Sequence, residues 1–150
     1  MKRFLMVALL LALCMTCLVS CDALTQEIGK TVSIQALDHL EQELREQGSF
    51  DELHRYDDPA ELSDLSAKLE EADVELKGEI TGALSGVVRN GEHWAGHLSI
   101  GLSASEDVDT LMQYYQTAHA DMIEEGRMVL VDGGWLISVT ISSDPIEQAE

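Results

Sequence analysis

The spacing of apolar residues changes along the chain and divides it into a helical part and a strand-rich part. Between about residues 32 and 73, apolar side chains recur every three or four positions, which predicts amphipathic helices. Asp58-Pro59-Ala60-Glu61 has the residues expected at a helix start: a capping aspartate, a proline at the first helical position and an early acid. The first helical stripe consists of Ile34, Leu37, Leu40 and Leu44, and the second of Leu62, Leu65, Leu69 and Ala72.

Between these stripes lies a segment that is expected to form a third, short helix. Gly48 ends the first stripe, and Ser49-Phe50-Asp51-Glu52 has the Ser-x-x-Glu form of a capping box. This motif predicts a short helix through Phe50 and Leu53.

From about Val74 the pattern changes to alternation, which is typical of strands. Asn90-Gly91 favours a two-residue hairpin turn between strands at about Leu84–Arg89 and Glu92–Leu102. A second hairpin, around Asp132-Gly133-Gly134, is expected to join Arg127–Val131 to Trp135–Ser142. Because the last strand alternates apolar and mostly polar residues, an antiparallel sheet with one solvated face is predicted.

A helix over Ser105–Glu125 separates the two hairpins, with Ser103 and Glu106 as a possible capping box. The sequence thus predicts an α+β fold, in which N-terminal helices precede an antiparallel β-β-α-β-β sheet with one helix packed on it. We expect a single globular domain at 32–143, with a helical part at 32–73, a sheet part at 74–143 and a frayed tail at 144–150.

The first residues have the organisation of an export signal. Lys2 and Arg3 precede an almost wholly apolar run from Phe4 to Met15, which is shorter than the roughly 20 residues that a membrane span needs. A basic start, a short apolar run and small residues after it describe a secretory signal peptide. A single transmembrane anchor is the alternative.

Leu18-Val19-Ser20-Cys21 resembles the lipobox of bacterial lipoproteins at every position. The resemblance implies cleavage between Ser20 and Cys21, a diacylglycerol thioether on Cys21 and a location on the outer side of the cell membrane. Residues 1–20 would then be the signal peptide and residues 21–31 a tether. Asp22 resembles the signal that keeps lipoproteins on the inner membrane of two-membraned bacteria, and it carries no such meaning in single-membrane hosts.

The charge of the chain narrows the choice of partners. It has 28 acidic and 9 basic residues and a formal net charge of −19 at pH 7, and loss of Lys2 and Arg3 with the signal would make it more negative. Such a surface repels nucleic acid and anionic headgroups. The expected partners are the membrane, through lipid on Cys21, and an envelope protein or small ligand, but no nucleic acid.

Four residues are candidates for an interaction surface: His93, Trp94, His97 and Trp135. Tryptophans often dominate interfaces, although core packing is their commoner role. Because His93 and His97 are expected on a strand, their Cα atoms should lie about 13 Å apart, too far for one shared metal ion. No phosphate-binding loop or nucleophile elbow occurs, so we predict no metal, cofactor or catalytic residue.

Two functions from different classes remain open. The first is a lipid-anchored envelope lipoprotein that acts as a non-catalytic binding or interaction module. The alternative is a small cell-wall hydrolase that uses an acid pair with His93 or His97. The globular part resembles no defined family.

Overall fold

The computed structural model describes the backbone of residues 2–147 and the side chains of residues 23–147. The predicted α+β class is confirmed. Along the chain the elements are α1 (Lys2–Gln47), β1 (Glu52–Tyr56), α2 (Pro59–Glu71), β2 (Ile80–Asn90), β3 (His93–Leu102), α3 (Glu106–Ala118), α4 (Ala120–Glu124), β4 (Met128–Asp132) and β5 (Leu136–Ser142).

The five strands form one antiparallel sheet in the order β1-β2-β3-β5-β4. The hairpins β2–β3 and β4–β5 lie where the sequence predicts them. They meet along β3 and β5, where Ile100 is opposite Ile137, so the two hairpins share a continuous sheet although α3 and α4 separate them in sequence.

β1 replaces the short helix that was predicted after Gly48, and that prediction is wrong. Leu53 pairs with Gly86, and Arg55 with Leu84. Asp51 does not act as part of a helix start: its carboxylate accepts a hydrogen bond from the Arg89 amide at 2.7 Å. Pairing with a distant strand therefore outweighs the local capping signal.

One face of the sheet, here called the core face, carries the main hydrophobic core. Ala83, Ile100 and Ile137 lie opposite one another on three neighbouring strands. They pack with Leu69 of α2 and with Val108 and Leu111 of α3. Asp58 caps α2 as predicted, since its carboxylate accepts from the Ala60 amide at 2.8 Å.

The opposite face, here called the α1 face, is covered in part by α1, so the prediction of one solvated face is wrong there. Leu37 is fully buried, and Ser33 Oγ lies 2.7 Å from Thr81 Oγ1. The paired Gly82 and Gly101 make room for Leu37, since a Cβ at position 101 would stand 2.8 Å from Leu37 Cδ1. These glycines allow the helix to approach the sheet closely.

The predicted limits of the globular domain, residues 32 and 143, are revised at both ends. Residues 21–31, expected to be a tether, belong to α1, and Gly29 is buried against Trp135 and the Ser103 carbonyl. At the other end, the Ile146 amide donates to the Gly126 carbonyl at 2.8 Å. Residues 144–147 of the predicted tail are thus tied to the domain, and residues 148–150 lie outside the described part.

Three local predictions are also corrected. The strand expected from Val74 begins only at Ile80. The β2–β3 loop consists of Gly91 and Glu92, with φ +65° at Gly91, so glycine occupies the first central position of the turn rather than the second. The predicted helix over residues 105–125 is broken at His119, whose backbone (φ −129°, ψ 34°) is not helical.

The predicted capping box before α3 does not form. Ser103 Oγ accepts a hydrogen bond from the Glu79 amide at 2.8 Å, and Ser105 makes no side-chain cap. Asp107 is instead the acid with a defined role in the first turn. It is fully buried, and its carboxylate accepts from the amides of Lys77 and Gly78, both at 2.8 Å.

In the part of the chain that the structure describes, none of the helices combines the length and the apolar character that a membrane crossing requires.

Candidate functional site

The two tryptophans of the predicted interaction surface lie at opposite ends of β3. The Trp94 carbonyl accepts from the Ser143 amide, whereas the Trp135 carbonyl accepts from the Leu102 amide, both at 2.9 Å. Positions 94 and 102 on one strand are separated by about 27 Å at 3.4 Å per residue. Trp94 is 40% exposed, while Trp135 packs against Gly29 of α1. The structure therefore does not bring these residues into one surface.

His93 and His97 both project toward the α1 face, because side chains alternate along a strand. His93 is exposed beside the β2–β3 turn and its Nδ1 contacts the Asp144 carboxylate. Hydrogen bonds from His93 and Ser143 lower the pKa of Asp144. No group of three or more ligating side chains with metal-site geometry occurs among the described residues.

His97 belongs to a row of polar side chains that crosses β3 and β5, here called the polar strip (His97, Ser99, Ser138 and Thr140). His97 Nε2 lies 2.7 Å from Ser99 Oγ, and Ser99 Oγ lies 2.6 Å from Ser138 Oγ. On the other side of the ring, His97 Nδ1 lies 3.3 Å from Thr140 Oγ1. The strip is thus one connected hydrogen-bond network of uncharged hydroxyls around a single imidazole.

The imidazole of His97 is half-buried on the α1 face. His97 pairs with Gly86, and the Phe50 ring packs directly on that glycine. The Phe50 and His97 ring centroids are 6.0 Å apart. Burial lowers the pKa of His97, because desolvation disfavours the charged form. The neutral ring can both donate and accept, as the network requires.

The His97–Ser99 distance is that of a base and its nucleophile, but the remainder of the arrangement differs from a catalytic triad. Ser99 is fully buried, so its hydroxyl is not presented to a substrate. The second ring nitrogen faces the Thr140 hydroxyl rather than a carboxylate. The geometry suits an ordered polar network that fixes neighbouring strands and presents hydroxyls at its margin.

Several clefts lie elsewhere among the described residues, and two of them adjoin the segments held by Asp107 and Arg55. The first, of about 540 Å³, lies between the end of α2 and the 73–78 loop that Asp107 holds, and its lining includes Glu70, Asp73 and Glu75. The second, of about 440 Å³, lies where α1, β1 and β2 meet.

Arg55 lines this second cleft with its guanidinium paired to Asp38 at 3.1 Å and Glu41 at 3.5 Å, while its Nε is buried without a hydrogen-bond partner. Lys30 and further acids also line it, so the cleft has mixed charge and favours neither sign of ligand.

An exposed apolar ridge is the clearest surface feature that the sequence did not reveal. Leu24, Ile28 and Val32 are 62%, 51% and 37% exposed on α1, and their spacing of four residues places them along one side of the helix. The apolar residues were visible in the sequence, but Leu24 and Ile28 were assigned to a polar tether and Val32 to the start of the globular domain. Contiguous exposed apolar surface commonly marks an interaction site.

Comparison with known proteins found no match: no family model, no curated protein and no solved structure is significantly similar to this chain. The fold and the site define the class of this protein as an α+β domain with a long N-terminal helix across one face of its sheet. The predicted cleavage and lipidation residues, Ser20 and Cys21, lie outside the residues whose side chains are described.

Proposed function

We propose that this chain is a lipid-anchored lipoprotein of a bacterial cell envelope, held by acyl chains on Cys21, and that its folded part is a non-catalytic interaction module. The lipobox-like Leu18-Val19-Ser20-Cys21 supports the anchor. The observation that carries the anchored arrangement is the exposed apolar ridge (Leu24, Ile28 and Val32), which begins three residues after Cys21.

The position of the ridge fits an anchored protein. Leu24 is three residues beyond Cys21, which corresponds to about 4.5 Å along a helix at 1.5 Å per residue, and Ile28 is about 10 Å away. Amphipathic helices bury apolar side chains about 5–10 Å into the headgroup region. Leu24 and Ile28 would thus meet the bilayer beside the acyl chains, and Val32 would lie at its margin.

The acidic body then faces away from the membrane. Its charge repels anionic headgroups, so the acyl chains and the start of α1 hold the protein while the sheet remains accessible. The module would meet an envelope protein or small ligand through the margin of the polar strip and the end of the sheet that carries His93 and Trp94.

Nothing in the geometry favours the hydrolase alternative specifically. That alternative needs a histidine beside an acid and an accessible reacting group. The partners of His97 are hydroxyls, and the acid beside His93, Asp144, is exposed with it at the end of the sheet next to the β2–β3 turn.

Metabolic labelling tests the anchor. Cells that express the chain are fed a labelled fatty acid, and the protein is isolated and its label measured. Label in the native protein and its loss in Cys21→Ala are expected. Cys17→Ala is the matched control and should keep the label, because Cys17 lies in the segment that is removed. Label that persists in Cys21→Ala contradicts the proposal.

A wall-digestion assay tests the absence of catalysis separately. Purified full-length protein, its His97→Gln variant and its His93→Gln variant are incubated with isolated cell-wall material, and soluble fragments are quantified. We expect no release above buffer with any of them. Release by the native protein that either substitution abolishes would establish the hydrolase instead.

A further inference from the structure

The guanidinium group of Arg55 has one edge that no acceptor of the described chain occupies. Its Nη1 pairs with Asp38 at 3.1 Å and donates to Glu41 at 3.5 Å. Its Nε is buried without a hydrogen-bond partner, and no hydrogen bond from Nη2 occurs among the described residues. Nε and Nη2 lie side by side and form a fork of the kind that binds a carboxylate through two parallel hydrogen bonds.

This unfilled edge adjoins the cleft where α1, β1 and β2 meet, here called the Arg55 cleft. The guanidinium rests on the Gly82 backbone, because its Nη2 lies 3.5 Å from the place of a Cβ at that position. Arg55 and Thr81, the residue before Gly82, both line the cleft. Since buried polar groups nearly always have a partner in folded proteins, the orphaned donor calls for an acceptor from outside the chain.

The Arg55 cleft also contains charged side chains of both signs that have no partner. Lys30, Asp57 and Glu79 are exposed, and they form no ion pair within the described part of the chain. Lys30 belongs to α1, Asp57 lies between β1 and α2, and Glu79 directly precedes β2. The fold thus brings unpaired charges from three separate segments to one cleft.

The remaining lining of the cleft is mainly apolar. Ile34 and Leu62 are half-buried, Ile80 is buried, and Pro59 begins α2 beside them. The volume of about 440 Å³ falls within the range of about 300–1,000 Å³ that is usual for small-molecule sites. Such sites combine an apolar lining with a few polar groups that fix the orientation of the ligand.

We propose that the Arg55 cleft binds a small zwitterion of the amino acid class, either a free amino acid or a dipeptide with an apolar side chain. Arg55 and Lys30 bind its carboxylate, and the carboxylate accepts the hydrogen bonds that Nε and Nη2 have to give. Asp57 and Glu79 bind its ammonium group, and its side chain packs on the apolar lining. The site is distinct from the polar strip, and its occupation does not require the lipid anchor.

The balance of charge selects a zwitterion over an ion of one sign. The lining holds two cationic and three acidic side chains, and the whole chain has a formal net charge of −19, so a net anion is repelled. A simple cation would leave the donors of Arg55 unfilled. A zwitterion satisfies both conditions because it carries a carboxylate but no net charge.

Isothermal titration calorimetry of the full chain in a non-ionic detergent tests the proposal, with leucine and alanyl-leucine as the probes. N-acetyl-alanyl-leucine lacks the ammonium group, and alanyl-leucinamide lacks the carboxylate. We expect alanyl-leucine or leucine to bind, and each blocked dipeptide to bind at least about tenfold more weakly than alanyl-leucine, since hydrogen bonds to charged groups are the strong ones. A native chain that binds neither probe overturns the proposal, and so does equal affinity for the blocked dipeptides.

A double variant tests the ammonium side of the site. Asp57→Asn combined with Glu79→Gln should weaken alanyl-leucine binding about tenfold and leave N-acetyl-alanyl-leucine unaffected. Glu70→Gln combined with Glu75→Gln removes the same number of charges from exposed positions outside this cleft and should leave both affinities unchanged. Equal effects of the two double variants would show that net charge, rather than this site, governs binding.

Two variants test the carboxylate side. Arg55→Lys keeps the positive charge but removes the fork, and should abolish the preference for alanyl-leucine over alanyl-leucinamide. Because Arg55 also pairs with α1, Lys30→Ala provides a second variant at an exposed position. It should weaken alanyl-leucine binding several-fold, whereas Lys68→Ala, on exposed α2 outside the cleft, should not. An unchanged affinity in Lys30→Ala, together with an unchanged preference in Arg55→Lys, contradicts the proposal.

Discussion

Gly29 of α1 lies so close to the indole ring of Trp135 that no side chain fits at position 29. The same position faces the Ser103 carbonyl, at the end of β3. This contact fixes how α1 crosses the sheet, and it explains why a residue that weakens helices stands inside a long one.

Gly29→Ala should destabilise the fold by about 1–3 kcal/mol, the usual range for overpacking. At an exposed helical position the same change would stabilise by about 1 kcal/mol, because alanine is the better helix former. Gln35→Ala, at an exposed position of the same helix, is the matched control and should be neutral or slightly stabilising. Urea unfolding measures both, and a stabilised Gly29→Ala would show that α1 is not seated against Trp135.

Asp107→Asn should destabilise the protein by about 1–3 kcal/mol, because an amide leaves one of two buried backbone donors without an acceptor. Its neighbour Asp109 is exposed in the same turn, and Asp109→Asn should lose only a few tenths of a kcal/mol of dipole interaction. Hydrogen exchange at the Lys77 and Gly78 amides should accelerate in the first variant alone. Unchanged exchange there would remove the role of Asp107 as the anchor of this loop.

Asp73→Gly should stabilise the fold by about 0.5–1 kcal/mol, because Asp73 has φ +58°, where L-residues are strained. The Asp73 and Val74 amides donate to the Glu70 and Leu69 carbonyls, the pattern of a glycine-terminated helix end. Glu71→Gly lies at a regular helical position and should instead cost about 1 kcal/mol. Thermal unfolding distinguishes the two, and equal effects would contradict the strain.

Acidification should weaken the fold through His97. Burial lowers its pKa in the folded state, whereas the unfolded imidazole titrates near about 6.5. Between about pH 6.5 and the lower pKa of the folded state, the unfolded chain binds a proton that the folded chain does not. The fold therefore loses stability as the pH falls through this range, and His97 has no such effect at higher pH.

The variant that checks this is His97→Gln, which should lose less thermal stability than the native chain between about pH 7.5 and about pH 5.5. His39→Gln removes an exposed imidazole from α1 and is the control for the substitution itself. Identical pH dependence in the native chain and His97→Gln would show that His97 is not protonated on unfolding in this range.

Features that depend on residues close together in the sequence could be predicted from it. Asp58-Pro59 marks the start of α2, Gly48 ends α1, and both hairpins lie at their glycine-containing turns. The β1 strand could not be predicted in this way, because Ser49-x-x-Glu52 favours a helix locally and only pairing with β2 makes Leu53 and Arg55 part of a sheet. Tertiary pairing, which leaves no local trace, decided that segment.

The candidate site, like the fold, could be predicted only in part from the sequence. His97 was singled out from the sequence, but the hydroxyls of Ser138 and Thr140 were not, since they lie on a strand about 40 residues away. The polar face predicted for β5 already contained Ser138 and Thr140. The sequence did not show that β3 and β5 are neighbouring strands. Their pairing places Ser99 and Ser138 in one row with His97.

The route of α1 limits how the chain can be shortened for solution work. A fragment that starts after Gly29 would lose the helical turn seated on Trp135 and expose that indole ring and the Ser103 carbonyl. A water-soluble version should therefore begin at or close to Asp22. It should either retain the apolar residues Leu24 and Ile28 or carry polar substitutions at these two positions.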